Sequence, residues 1–152
     1  ARQLKHETIA TVYVQAPLDF KLPEPMLALR TAQGSPAQFA FDRGQIYTQA
    51  GTPGLLAFVV SANKLSKEEV TLQVMAQLRA LLIQLDQDAW HIEAFKVIQT
   101  VVEKRATFAC TPHLNRPSAR PCPGITVCGD YVAGPYPATL EGAVISGIQA
   151  VP

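Results

Sequence analysis

The sequence predicts an α+β fold: a mixed, largely antiparallel sheet, one long amphipathic helix packed on it, and a carboxy-terminal strand–loop–helix. Three observations carry this. Short β-branched and aromatic runs, separated by proline and glycine turns, fill the first third. One stretch of helical apolar spacing opens at Ser66. The last 29 residues pass from an apolar run through Gly129-Asp130 into a helix rich in small residues.

Composition bounds the rest. At 152 residues, one compact unit with a real core is the expectation. A net charge of +1 lacks the basic excess of a nucleic-acid module, and 48% hydrophobic residues argue against disorder. The longest strongly apolar stretch, Gly54–Ala62, is far short of the roughly 20 residues of a membrane helix. Ala1–Glu7 carries no apolar run of signal-peptide type, so the chain reads as soluble and cytosolic, cut from something longer. Cys110, Cys122 and Cys128 include no C-x-x-C pair, so reduced thiols are expected and no metal site is assigned.

Taken in order, Thr8–Ala16 reads as a strand stopped by Pro17, with Ala10, Val12 and Val14 on one face. Met26–Arg30 suits a short strand. Gln38–Asp42 alternates; Arg43-Gly44 reads as a turn and Gln45–Thr48 as the returning strand of a hairpin. Leu55–Ser61 is apolar throughout, as in a strand covered on both faces.

Ser66-x-x-Glu69 is a capping box, in which hydroxyl and carboxylate each take a backbone N–H. Val70, Val74, Leu78, Leu81, Leu82 and Leu85 follow at helical spacing. The opposite face, with Gln73, Gln77 and Gln84, lacks the lysine and arginine of a membrane-surface helix, which favours core packing. Glu93–Lys104 reads as a strand that Arg105–Cys110 extends beyond a kink. Four prolines make Pro112–Pro123 an extended connection. Gly124–Gly129 reads as a short buried strand, Asp130–Pro137 as a loop and Ala138–Val151 as the last helix.

Chemistry concentrates at that end. A strand feeding a helix amino terminus aims free N–H groups and a positive dipole end at one spot, here from Thr139 and Leu140. Asp130 suits a ribose-like or ribityl hydroxyl, or else merely closes a turn. Gly142 and Gly147 point to a close neighbour, either a cofactor or a strand. No G-x-G-x-x-G or G-x-S-x-G occurs. His6, His91 and His113 read as surface or turn residues. Glu103-Lys104-Arg105 is either a solvated edge or a ligand-facing base. No catalytic residue is assigned.

G-D-Y-V-A-G-P-Y-P-A-T-L-E-G-A-V-I-S-G, at Gly129–Gly147, resembles the carboxy-terminal FAD-binding signature of flavin-containing amine oxidoreductases and carotenoid desaturases. T-V-Y-V-Q at Thr11–Gln15, F-D-R-G-Q at Phe41–Gln45, E-K-R-A-T-F-A-C-T-P at Glu103–Pro112 and the following Arg116-Pro117 resemble the bacterial squalene-associated FAD-dependent desaturases, or hydroxysqualene dehydroxylases. The resemblance spans nearly the whole chain.

It implies the last third of a flavoenzyme of squalene and hopanoid biosynthesis. Residues 1–110 would belong to a substrate domain, 111–123 to a proline-rich connection and 124–152 to the FAD-contacting part. The implied cofactor is FAD, the implied substrate an apolar isoprenoid, and the implied location cytoplasmic, at most peripheral to the inner membrane. The implied partner is an amino-terminal Rossmann part of the same protein; nucleic acid is not one. An amine or carotenoid substrate, and a non-catalytic binding module, are the alternatives. By the resemblance, Gly129 permits close approach to the cofactor and Asp130 accepts from a ribityl or phosphate-side hydroxyl. Ala138, Thr139 and Leu140 correspond to donors near the flavin C2 carbonyl and N1, and Tyr136 to an aromatic beside the ring. Tyr131 and Pro137 shape the loop. Without a pyrophosphate site, the chain alone is expected to bind FAD weakly or not at all and to turn nothing over. Val12, Val14 and Leu55–Val60 would line an apolar pocket or serve as core.

Overall fold

The computed structural model describes residues 4–46, 53–85 and 91–151. The elements run β1 (His6–Gln15), β2 (Met26–Ala28), β3 (Phe39–Asp42), α1 (Arg43–Ile46), β4 (Leu55–Val60), α2 (Lys67–Gln84), a 3-10 turn (Ile92–Ala94), β5 (Lys96–Phe108) and α3 (Leu140–Ala150). The chain falls into two compact units, Thr8–Lys104 and Ala1–Glu7 with Arg105–Pro152. The division cuts through β1 and β5.

In Thr8–Lys104 the strands lie in the order β2-β3-β4-β1-β5. The pairs β2–β3, β3–β4 and β4–β1 are antiparallel. Alternation fixes the register: Val12 opposes Phe58 and Val14 opposes Leu56, all four fully buried. A one-residue slip would move this set to the other face.

Helix α2 covers that face. Ser66 caps it as its spacing predicts: the Glu69 N–H donates to Ser66 Oγ at 3.1 Å and the Ser66 N–H to Glu69 Oε2 at 2.8 Å. Val70, Val74 and Leu78 are fully buried against the sheet core. Each contributes roughly 1.5–3 kcal/mol relative to exposure. Val12, Val14, Leu56, Phe58 and Val60 are therefore packing residues in the same core. Gln77 departs from the solvent face assigned to it. It is buried, taking the Ala37 N–H at 2.8 Å and donating to the Ala37 carbonyl at 3.0 Å. Its amide replaces a strand partner for the chain that leads into β3.

The expected hairpin after Asp42 is not formed. The chain enters α1 instead, because Asp42 Oδ1 accepts the Gln45 N–H at 3.2 Å and so caps a helix. Asp42 Oδ2 also accepts the Leu22 N–H at 3.1 Å. The end of that expected hairpin, Tyr47–Thr48, lies outside the described residues. Helix α2 ends at Gln84, with Leu85 as its cap.

In the second unit the Ala109 N–H donates to the Lys5 carbonyl at 2.8 Å. The proline-rich connection is irregular, as expected, with a single bridge between Cys122 and Ile125. Gly124–Gly129 is not a strand. Among the described residues no strand lies alongside to complete a ladder, and the backbone bonds of the run go to nearby loop residues: Ile125 N–H to the Cys122 carbonyl at 3.2 Å, Val127 N–H to the Ala119 carbonyl at 2.9 Å, and Val132 N–H to the Gly129 carbonyl at 3.2 Å. An apolar run becomes a strand only where a partner takes its backbone groups. The closing strand–loop–helix is thus a loop–helix. Among the described residues no helix is long and apolar enough to cross a membrane.

Candidate functional site

Helix α3 starts where the chain chemistry requires. Thr139 is the cap: its Oγ1 accepts the Gly142 N–H at 3.0 Å and its hydroxyl donates to the Tyr136 carbonyl at 2.7 Å. The cap thereby ties the preceding loop to the first turn. That loop holds two non-glycine residues at positive φ, Tyr136 at 51° and Ala138 at 57°. Such conformations cost on the order of 1–3 kcal/mol each and persist only under external constraint. The Thr139 bond is one constraint. The Ala138 N–H, 3.4 Å from the Asp130 carbonyl, is another.

Arg116 is a third. Its Nη1 donates to the Val132 carbonyl at 2.8 Å, and its Nη2 to the Gly134 carbonyl. The Ala133 N–H donates to the Pro117 carbonyl at 2.8 Å. The Arg116-Pro117 pair thus clamps the Gly129–Pro137 loop from the proline-rich connection. The Gly129 N–H donates to Ser146 Oγ at 3.2 Å, fixing the start of the loop to the helix body.

The two helical glycines differ. A Cβ on Gly142 would lie 2.2 Å from the Tyr136 carbonyl oxygen, whereas one on Gly147 would meet nothing within 4 Å. The close neighbour expected at Gly142 is therefore the protein's own loop. At Gly129, with φ +143°, the corresponding space holds the Tyr131 ring at 2.6 Å.

Tyr136, Pro137, Thr139 and Leu140 are exposed around the helix opening. With the Gly142 N–H taken by Thr139 Oγ1 and the Ala138 N–H engaged with Asp130, the donors left at the helix opening are the N–H groups of Thr139, Leu140 and Glu141. Nothing in the sequence singles out Glu141. The position of these groups at the positive end of the helix suits an anion or a polarised carbonyl oxygen.

Asp130 and Tyr131 line a cavity of about 290 Å³ in the same unit. His6, Arg105, Thr107 and Phe108 form the remainder of its functional wall. A carboxylate, a guanidinium and an imidazole stand beside aromatic surface, a lining that suits a ligand with hydroxyls, an anionic group and a planar part. The Thr107 hydroxyl is shut off from solvent with no hydrogen-bond partner among the described residues. Leaving a buried hydroxyl unbonded costs about 1–3 kcal/mol. His6 is exposed, as its reading as a surface residue expects, and Thr107 falls inside the E-K-R-A-T-F-A-C-T-P block without being singled out there. Only the pairing of chain ends in this unit puts the two in one cavity wall with Asp130.

The whole pattern matches a known family. Residues 1–151 match the model of the flavin-containing amine oxidoreductases. The chain belongs to that family. Over 55 residues it is 44% identical to the hydroxysqualene dehydroxylase of Sinorhizobium fredii (strain NBRC 101917 / NGR234). That stretch is 34% of this chain and 13% of the relative, so the match spans about an eighth of the relative's length. A flavin-containing amine oxidoreductase needs partners for a polyol, for phosphate and for a planar ring. The carboxylate of Asp130, Arg105 and the open helix terminus are chemically fit for such a group.

Proposed function

We propose that this chain is the carboxy-terminal, cofactor-contacting part of an FAD-dependent oxidoreductase acting on an apolar isoprenoid of hydroxysqualene type. The observation that carries the cofactor reading is the cavity of Asp130 and Tyr131, with a clamped loop leading into the open α3 terminus. In this reading Asp130 accepts from a hydroxyl of the FAD polyol. Leu140 and Glu141 offer their N–H groups to the electron-rich edge of the isoalloxazine. Thr139 and Ala138 hold the turn that presents them. Tyr136 lies beside the ring, Gly129 keeps backbone bulk low, and Tyr131 and Pro137 shape the loop. The bound FAD supplies hydride exchange; the protein residues orient it and stabilise charge at its pyrimidine edge.

The substrate reading rests on the likeness to a hydroxysqualene dehydroxylase and on one surface. The sheet face turned away from α2 carries Met26, Phe41, Ala57 and Tyr13 in one register row. Phe39 stands beside Phe41 at 6.3 Å between ring centres. Met26 and Phe39 remain 53% and 38% exposed, so this face, unlike the Val12 face, is free to meet an apolar chain. Leu140, Val144 and Ile148 also leave an exposed apolar stripe on α3, which suits cover by further polypeptide of the parent enzyme.

The test is anaerobic mixing of the full-length flavoprotein, oxidised and reduced, with hydroxysqualene, a carotenoid precursor and a primary amine, followed near 450 nm. Hydroxysqualene alone should change the flavin redox state in a single turnover. A response to the amine or the carotenoid precursor instead overturns the substrate class.

A further inference from the structure

We propose that Tyr13 is a specificity-determining contact for the substrate: its hydroxyl recognises the hydroxyl of an isoprenoid alcohol laid across the sheet face turned away from α2. The inference rests on the reading of that face as the substrate surface, and it names what makes the face select an alcohol over the bare hydrocarbon.

The register divides that face by strand. One row runs Met26, Phe41, Ala57, Tyr13, and the next runs Ala28, Phe39, Val59, Thr11. The hydroxyls therefore stand on β1, the aromatic rings and the thioether on β3 and β2, and the smaller Ala57 and Val59 between them. From β1 to β2 is three interstrand steps, about 14 Å. No side chain in the two rows is charged. Tyr13 and Thr11 are half-buried, and neither hydroxyl is bonded to another described residue or shut off from solvent. The longer Tyr13 side chain gives its hydroxyl the greater reach. A hydroxyl both donates and accepts, and an alcohol matches it in both senses. Such a ligand sets its hydroxyl over β1 and runs its chain across Ala57 and Val59 to Phe39 and Phe41. An ammonium only donates, and its charge finds no carboxylate within these rows. A hydrocarbon strips water from the hydroxyls and returns no hydrogen bond. A site built to bond a substrate hydroxyl rejects the analogue that lacks it.

Tyr13→Phe removes the hydroxyl and keeps the ring. The 152-residue chain, labelled with ¹⁵N and with ¹³C in its tyrosine rings, is titrated with farnesol, with farnesylamine and with the hydrocarbon that carries hydrogen in place of the farnesol hydroxyl. Farnesol should shift the Tyr13 ring signal and the amides of Thr11, Phe39, Phe41 and Ala57, and should bind more tightly than either analogue. Tyr13→Phe should weaken farnesol about fivefold, the loss of one hydrogen bond, and leave the hydrocarbon unchanged. Equal weakening of farnesol and the hydrocarbon, unchanged farnesol affinity in Tyr13→Phe, tighter binding of farnesylamine, or a Tyr13 ring that does not move while Phe39 and Phe41 do would overturn the proposal alone. If none of the three compounds perturbs these amides, the reading of this face as the substrate surface fails and this inference with it.

Discussion

At the scale of single residues, Gly142 and Gly147 look alike in sequence and have opposite surroundings. An alanine at 142 would drive its Cβ into the Tyr136 carbonyl, a backbone atom that cannot swing aside. Gly142→Ala should cost about 1–3 kcal/mol and displace the loop. Gly147→Ala fills open space in a helix interior and should stabilise by about 0.5–1 kcal/mol. Thermal midpoints of the two variants check this, and a drop at both sites would refute the contrast. Glu69 gives a pH-dependent case. Its bonds to the Ser66 backbone and hydroxyl hold its carboxyl below the usual range. A folded-state pKa that is depressed contributes stability above the unfolded value, and that contribution is lost as pH falls through the folded one. Glu69→Ala should therefore lower the midpoint at pH 7, with the difference from wild type narrowing in acid. A constant gap across pH would exclude this origin.

At the scale of elements, α2 is held by more than its apolar stripe. Gln77 satisfies both backbone groups of Ala37, and the hydroxyls of Thr71 and Thr100 meet at 2.7 Å between α2 and β5. Replacing Gln77 by Leu would leave the Ala37 N–H and carbonyl without their partner inside the protein. The expected loss is about 1–3 kcal/mol, read as a shift of the denaturation midpoint at constant slope. An unchanged midpoint would show that water substitutes for the amide.

The same elements separate what neighbouring residues specify from what only the folded chain brings together. The capping box and the Val70–Leu82 spacing define α2 locally, and the alternation of Ala10, Val12 and Val14 defines the buried face of β1. Those signals are complete within a few residues. Gln77 resembles any exposed glutamine until Ala37 is brought beside it. Gly124–Gly129 has strand composition, yet pairing depends on a neighbour that local sequence does not contain. Asp42 is legible only as the end of an alternating strand, because its role as a cap depends on whether Gln45 turns back toward it. In the candidate site, Gly129, Asp130 and Thr139 stand out through one contiguous motif. Thr107 and His6 do not, since they join it through strands at the two ends of the chain.

At the scale of the whole molecule, the two units differ in how they are held. Nearly all the buried apolar side chains of the described residues lie in Thr8–Lys104; Phe108 and Val132 are those of the other unit. That second unit relies on hydrogen bonds donated by Arg116 and Thr139 and accepted by Ser146, and it carries the candidate flavin-contacting residues. Sites that must admit a large cofactor are commonly built from the less stable parts of a fold. The net charge of +1 is consistent with recognition through backbone groups and a few side chains rather than through a broad field. The most direct measurement is a ¹⁵N–¹H correlation titration of the 152-residue chain with FAD. Weak, saturable shifts should appear at Gly129–Glu141 and at Arg105–Phe108, with no yellow colour retained after gel filtration. Silence at those amides, or shifts confined to Thr8–Lys104, would contradict the assignment of this loop and helix to the flavin.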